Sequence, residues 1–152
     1  MRKAPEHAAR YKNWDEALSG IENKAIVDFF RQELADGRRG YLYRRILNWS
    51  QDGHRRFRVI ARRNFAYGWQ EGRFQGDVEF WRSKLGGGDA DVGVVGRYDN
   101  RVRFRLRTAE QITAFREAID GPLKTRPFLN AAIPTDEAEG EGEGEGAEGE
   151  EQ

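Results

Sequence analysis

The stretch Ile46-Leu47-Asn48-Trp49-Ser50-Gln51-Asp52-Gly53-His54-Arg55-Arg56-Phe57-Arg58-Val59-Ile60-Ala61 decides the fold. Asp52-Gly53 lies between two runs rich in β-branched and aromatic residues, and this dipeptide supplies the backbone that a two-residue hairpin turn needs. With these two as the turn, Gln51 faces His54, and the register follows by counting outward. It predicts one apolar face made of Leu42, Ile46, Phe57, Val59 and Ala61. The opposite face is then expected to carry Tyr43, Arg45, Leu47, Trp49, Arg56, Arg58, Ile60 and Arg62. A one-residue slip would exchange the faces.

Working outward, Ile21, Ala25, Ile26, Phe29, Phe30 and Leu34 recur at helical spacing behind Ser19 and Glu22, which form a capping-box pattern, and the helix is expected to stop near Gly37. Residues 72–85 admit two readings. Val78 and Phe80 alternate as in a strand, whereas Asp77 as N-cap and Gly86 beyond Leu85 frame a short helix. A second hairpin is expected over Val92–Arg107 with Asp99-Asn100 as its turn. Its second strand puts Val102, Phe104 and Leu106 inward and Arg101, Arg103, Arg105 and Arg107 outward. Val94 and Tyr98 are assigned to the arginine side. Thr108 and Gln111 then cap a last amphipathic helix carrying Ile112, Phe115 and Ile119, which ends at Gly121-Pro122.

These elements give an expected α+β domain over residues 14–134. It is an antiparallel sheet of four to five strands in two hairpins, with an N-terminal and a C-terminal helix on one face. Residues 1–13 are expected to be a flexible arm. Residues 135–152 alternate Glu and Gly without an apolar anchor and are expected to be a disordered acidic tail.

Charge is distributed unevenly. The 26 basic and 26 acidic residues cancel, yet nine acids fall in residues 135–152, so the body carries +9 and the tail −9. Such a body points to a polyanionic partner. Arginine outnumbers lysine 21 to 5, and the guanidinium fork grips phosphate at two points and stacks on flat rings. Cysteine is absent, which excludes disulfides, thiolate metal sites and cysteine nucleophiles. No apolar run approaches the roughly 18 residues of a membrane span, and no signal-peptide pattern opens the chain. A soluble, cytoplasmic protein is therefore expected, with no membrane partner and no cofactor.

Catalytic patterns are weak. Asp77, Glu79 and Lys84 lack the spacing of a nuclease site, His7 and His54 are far apart in the chain, and Gly86-Gly87-Gly88 lacks the Lys-Ser/Thr of a phosphate loop. Asp89 and Asp91 are too few ligands for calcium. A non-catalytic protein is expected.

The alternate arginines of the last strand stand about 6.6–6.8 Å apart along it, a ladder suited to phosphates. Between Arg38 and Gly76 there are ten arginines against Asp52 and Glu71. Tyr43, Arg45, Trp49, Arg56, Arg58, Arg62, Tyr98, Arg101, Arg103, Arg105 and Arg107 are the expected binding residues, with rings to stack unpaired bases and guanidiniums to hold phosphates. The expected partner is single-stranded nucleic acid, DNA ahead of RNA, and the acidic tail is expected to compete for the same face. A second copy of the chain is a further candidate partner. The alternative function is a protein-interaction or assembly subunit whose basic face docks an acidic partner. Trp14 and Trp81 are expected in the core, and Tyr67 and Trp69 in the core or at its rim.

Residues Arg101 to Leu123, an arginine-alternating strand running into a capped helix, resemble in layout the strand-strand-strand-strand-helix units of the Pur-alpha and Whirly single-strand binders. The likeness covers roughly a sixth of the chain, rests on arrangement, and transfers no site residue. It implies a sheet that binds single strands. The tail is likewise similar to those of single-stranded DNA-binding proteins, but lacks their apolar tip, ending Gly149-Glu150-Glu151-Gln152.

Overall fold

The computed structural model describes residues 11–51, 54–86, 91–96 and 98–128. The arm up to residue 10, the Asp52-Gly53 turn and the acidic tail lie outside the described residues. The elements run α1 (Trp14–Leu18), α2 (Lys24–Ala35), β1 (Arg39–Tyr41), β2 (Ile46–Gln51), β3 (His54–Ala61), β4 (Ala66–Glu71), α3 (Asp77–Leu85), β5 (Val92–Val95), β6 (Arg101–Leu106) and α4 (Ala109–Asp120). All six strands pair antiparallel in one sheet of order β1-β2-β3-β4-β6-β5. The sheet thus has six strands where four to five were expected. The short β1 and the separate β4 account for the difference.

The first long helix starts later than the capping-box pattern suggested. The Ser19 hydroxyl donates to the Glu16 carbonyl and closes α1, while Asn23 caps α2 by accepting from the Ala25 N–H at 3.0 Å. The Asn23 amide also donates to the Asn64 and Arg107 carbonyls, both at 2.8 Å. One side chain therefore caps the helix and ties its start to the ends of two strands, which a Ser19 cap does not do.

The hairpin register begins as expected, with Gln51 opposite His54 and Ser50 opposite Arg55. It then slips: Trp49 pairs with Phe57, Asn48 with Arg58, Leu47 with Val59 and Ile46 with Ile60, leaving Arg56 as an extra residue in β3. A β-bulge costs one local break in the ladder, about 0.5–1.5 kcal/mol for a hydrogen bond. In exchange Leu47 and Trp49 turn inward to join Phe57, Val59 and Ala61, and burying each large apolar side chain contributes about 1.5–3 kcal/mol. The bulge wins. Leu42 leaves the expected face for a 3-10 turn over Leu42–Arg44, and Ile46 packs on the opposite side of the sheet.

Residues 77–85 are helical. Asp77 sits inside the first turn rather than at the cap, which is Gly76, and Gly86 closes the C-terminal end with the left-handed backbone expected of it. The Asp77 carboxylate accepts from Arg73, from the Phe74 N–H and from the Gln70 amide, and the Gln70 carbonyl oxygen accepts from the Trp81 indole at 2.8 Å. Trp81, Phe104 and Phe115 then fill the space between the helices and the sheet, with Trp81 stacked 4.5 Å from Phe104. Gly68 on β4 makes that stack possible, since a β-carbon there would stand 2.2 Å from the Phe104 ring.

The second hairpin is also shifted. Val95 pairs with Arg101 and Val94 with Val102, so residues 96–100 form a longer loop in which Gly96 and Asp99 take positive φ. The Asp99-Asn100 two-residue turn is therefore corrected to a five-residue connection, and Val94 leaves the arginine side of the sheet. β6 alternates as read, with Val102, Phe104 and Leu106 buried. The Thr108–Gln111 capping box of α4 forms with both of its hydrogen bonds. The main core, holding Phe29, Phe30, Trp81 and Phe115, places the helices on one side of the sheet.

Candidate functional site

Strand pairing writes the other side of the sheet as rows. One row runs Tyr41, Ile46, Ile60, Tyr67, Arg105, and the next runs Arg39, Asn48, Arg58, Trp69, Arg103, Gly93. A third brings Glu71 beside Arg101 and Val95. Alternation within each strand puts these side chains on the face away from the helices.

Ile60, Tyr67 and Trp69 form a small second cluster here, packed by Ile46, Phe65 and Val95, and the Phe65 and Tyr67 rings meet edge to face at 4.9 Å. Guanidiniums cover these rings. Arg103, Arg105 and Arg62 stand 5.2, 5.4 and 5.7 Å from the Tyr67 ring centre, and Arg58 stands 5.2 Å from that of Trp69. Arg105 and Arg107 also lie over Phe65, at 5.4 and 5.8 Å. Cation–π attraction of about 0.5–2 kcal/mol per contact holds a layer of charge against a layer of rings. Tyr67 is consequently fully buried.

Two carboxylates lie among these cations. Glu71 is 2.9 Å from Arg55 and 3.6 Å from Arg101, and Asp91 is 2.9 Å from Arg107 and 4.0 Å from Arg105. Arg58, Arg62 and Arg103 have further interactions as well. Among the described residues this side of the sheet gathers seven guanidiniums, those of Arg55, Arg58, Arg62, Arg101, Arg103, Arg105 and Arg107, and two carboxylates, with Arg55 and Arg58 themselves buried.

The residues expected at the site divide into two groups. Arg58, Arg62, Arg101, Arg103, Arg105 and Arg107 come together on this face. Trp49 does not, because the bulge turns it into the core, where it stacks on Phe29 and meets Phe115 edge to face. Arg56 points to the helix side too, donating to the Leu123 and Arg126 carbonyls and lying 4.0 Å from the Phe128 ring centre. Tyr43 sits half-buried in the 3-10 turn with Arg44 near its ring, and Arg45, at the left-handed residue after that turn, donates to the Tyr11 hydroxyl at 3.2 Å. Tyr98 is in the β5–β6 loop, 77% exposed.

Sequence reasoning left Tyr67 and Trp69 undecided and took no account of Phe65 and Arg55 as members of this face. The alternation Phe65, Tyr67, Trp69, Glu71 on one side of Gly68 was the available signal. Among the described residues no group of three or more metal-ligating side chains occurs, and no helix is long and apolar enough to cross a membrane. No known family, no curated protein and no solved structure matches this chain.

Proposed function

We propose that this chain binds single-stranded nucleic acid, DNA ahead of RNA, on the arginine-covered face of its sheet, without catalysing a reaction. The observation that carries this reading is the two-layer construction at Tyr67, whose buried ring lies beneath the partly exposed guanidiniums of Arg62, Arg103 and Arg105. Unpaired bases stack on guanidinium planes as well as on rings, and the same groups engage phosphate oxygens. The stacking surface is thus charged, in place of the bare Tyr43 and Trp49 rings first expected. Duplex offers its bases to no such surface. In this reading the acidic tail, residues 135–152, competes for the face as a tethered polyanion, with a root-mean-square reach of roughly 21–25 Å.

The deciding experiment titrates the full chain and a chain ending at Pro134 against single-stranded DNA, single-stranded RNA and duplex of equal length, at low and physiological salt. Single strands are expected to bind more tightly than duplex. Truncation is expected to raise affinity most at low salt, where the Debye length is about 30 Å rather than about 8 Å. Binding that is absent from the truncated chain, or flat with salt, would overturn the reading in favour of an acidic protein partner for the same face.

A further inference from the structure

The β1 edge of the sheet carries a further guanidinium laid on a ring. Arg39 is exposed and stands 5.3 Å from the Tyr41 ring centre, and among the described residues it has no ion pair. Gly40, between the two, fixes their direction. A β-carbon on Gly40 would stand 2.8 Å from the Trp14 ring and 3.0 Å from Leu34, both packed on the helix side. Its neighbours Arg39 and Tyr41 therefore point to the opposite face, the one that holds Tyr67, Arg103 and Arg105.

Two directions across this face differ in charge. Along β6 the cations are matched at both ends, Arg101 by Glu71 at 3.6 Å and Arg107 by Asp91 at 2.9 Å. Across the strands, the row Arg39, Asn48, Arg58, Trp69, Arg103 contains no carboxylate. An extended polyanion is repelled least in the second direction. Four interstrand steps of about 4.8 Å separate Arg39 from Arg103, roughly 19 Å.

We propose that the single strand crosses the sheet perpendicular to its strands, from Arg103 on β6 to β1, where the Arg39 guanidinium, held by the Tyr41 ring, engages a phosphate. The assignment rests on the nucleic-acid reading above and adds to it a second contact region and a ligand length. At about 3.4 Å per nucleotide of a stacked strand, 19 Å takes about six nucleotides. A trinucleotide has two such steps, about 14 Å even at twice that rise, and reaches one end only. It is expected to take the β6 end, where the guanidiniums are more numerous.

The test measures binding of oligothymidylates of three to twelve nucleotides to the full chain, by competition against a labelled twelve-nucleotide strand, at low and physiological salt. Affinity is expected to step up once the strand spans both ends. Arg39→Ala, a change at an exposed position that leaves the core intact, is expected to remove that step. It should weaken the twelve-nucleotide strand about tenfold, the effect of losing one charged contact, and leave the trinucleotide unchanged. Arg31→Ala, on α2, removes the same charge from the helix side and is expected to change neither. Equal behaviour of Arg39→Ala and Arg31→Ala, or equal weakening of the short and long strands by Arg39→Ala, would overturn the crossing path while leaving the sheet face as a binder. Absence of binding to the unaltered chain at every salt overturns it as well, and titration of the chain ending at Pro134 then decides the nucleic-acid reading separately.

Discussion

Glu71 and Arg55 form an ion pair 2.9 Å long in which both side chains are 1% exposed, on the side of the sheet away from the helices. Burying two charges is unfavourable unless they stay paired, and removing one partner typically costs about 3–5 kcal/mol. Glu71→Ala is therefore expected to lower stability by about that amount in urea denaturation. Arg55→Met combined with Glu71→Leu should recover only part of the loss, because Arg101, 3.6 Å from Glu71, also loses its carboxylate.

Salt dependence tests which arginines touch phosphate. Arg103→Ala and Arg105→Ala are each expected to reduce the log–log salt slope of single-strand binding by about 0.7 if the removed side chain made one phosphate contact. Trp49→Phe, at a core position, is expected to leave both affinity and slope unchanged. Filter binding or fluorescence anisotropy at several salt concentrations reads all three.

Acid stability should depend on Asp77. Burial alone pushes its carboxyl up, but hydrogen bonds from Arg73, the Phe74 backbone and Gln70, with the charge of Arg73, outweigh burial and hold it below the usual carboxylate range. A carboxyl depressed in the folded state contributes stability above the unfolded value of about 3.9, and that contribution is lost as pH falls through the lower folded value. Asp77→Asn should therefore destabilise the chain near neutral pH and flatten its acid-unfolding profile below about pH 4. Thermal melts across that range supply the measurement.

Gly68→Ala places a methyl where the Phe104 ring already lies, 2.2 Å from the new carbon. Phe104 cannot retreat freely because Trp81 stacks behind it at 4.5 Å. Overpacking of this kind costs about 1–3 kcal/mol. Chemical denaturation should show a lower midpoint with unchanged cooperativity, together with altered near-ultraviolet circular dichroism from the displaced rings.

What the sequence made legible was local. Thr108 with Gln111, and the alternation of Val102, Phe104 and Leu106 with arginines, specify their geometry within a few residues, and they form as read. The bulge at Arg56 depends on a comparison between two strands: Leu47 and Trp49 are as apolar as Leu42 and Ile46, and only the shape of the finished core selects the first pair. Asn23 prevails over Ser19 for a similar reason, since its two extra hydrogen bonds reach Asn64 and Arg107, distant in the chain. Within the site, the cations of β6 were legible from their period. The rings beneath them were not, because Tyr67 and Trp69 are assigned to a face only once β4 is seated between β3 and β6.

The strand order has a consequence for how the chain is made. β6 lies between β4 and β5, so β5 leaves the ribosome before the strand that will hold it in the sheet. Until residues 101–106 emerge, β4 presents an open edge with Tyr67 and Trp69 beside it, a template on which a neighbouring nascent chain can add a strand. Arrival of β6 closes that edge and lays Arg103 and Arg105 across Tyr67 in the same step. Synthesis halted shortly before Arg101 is therefore expected to release a fragment that self-associates more than the full chain.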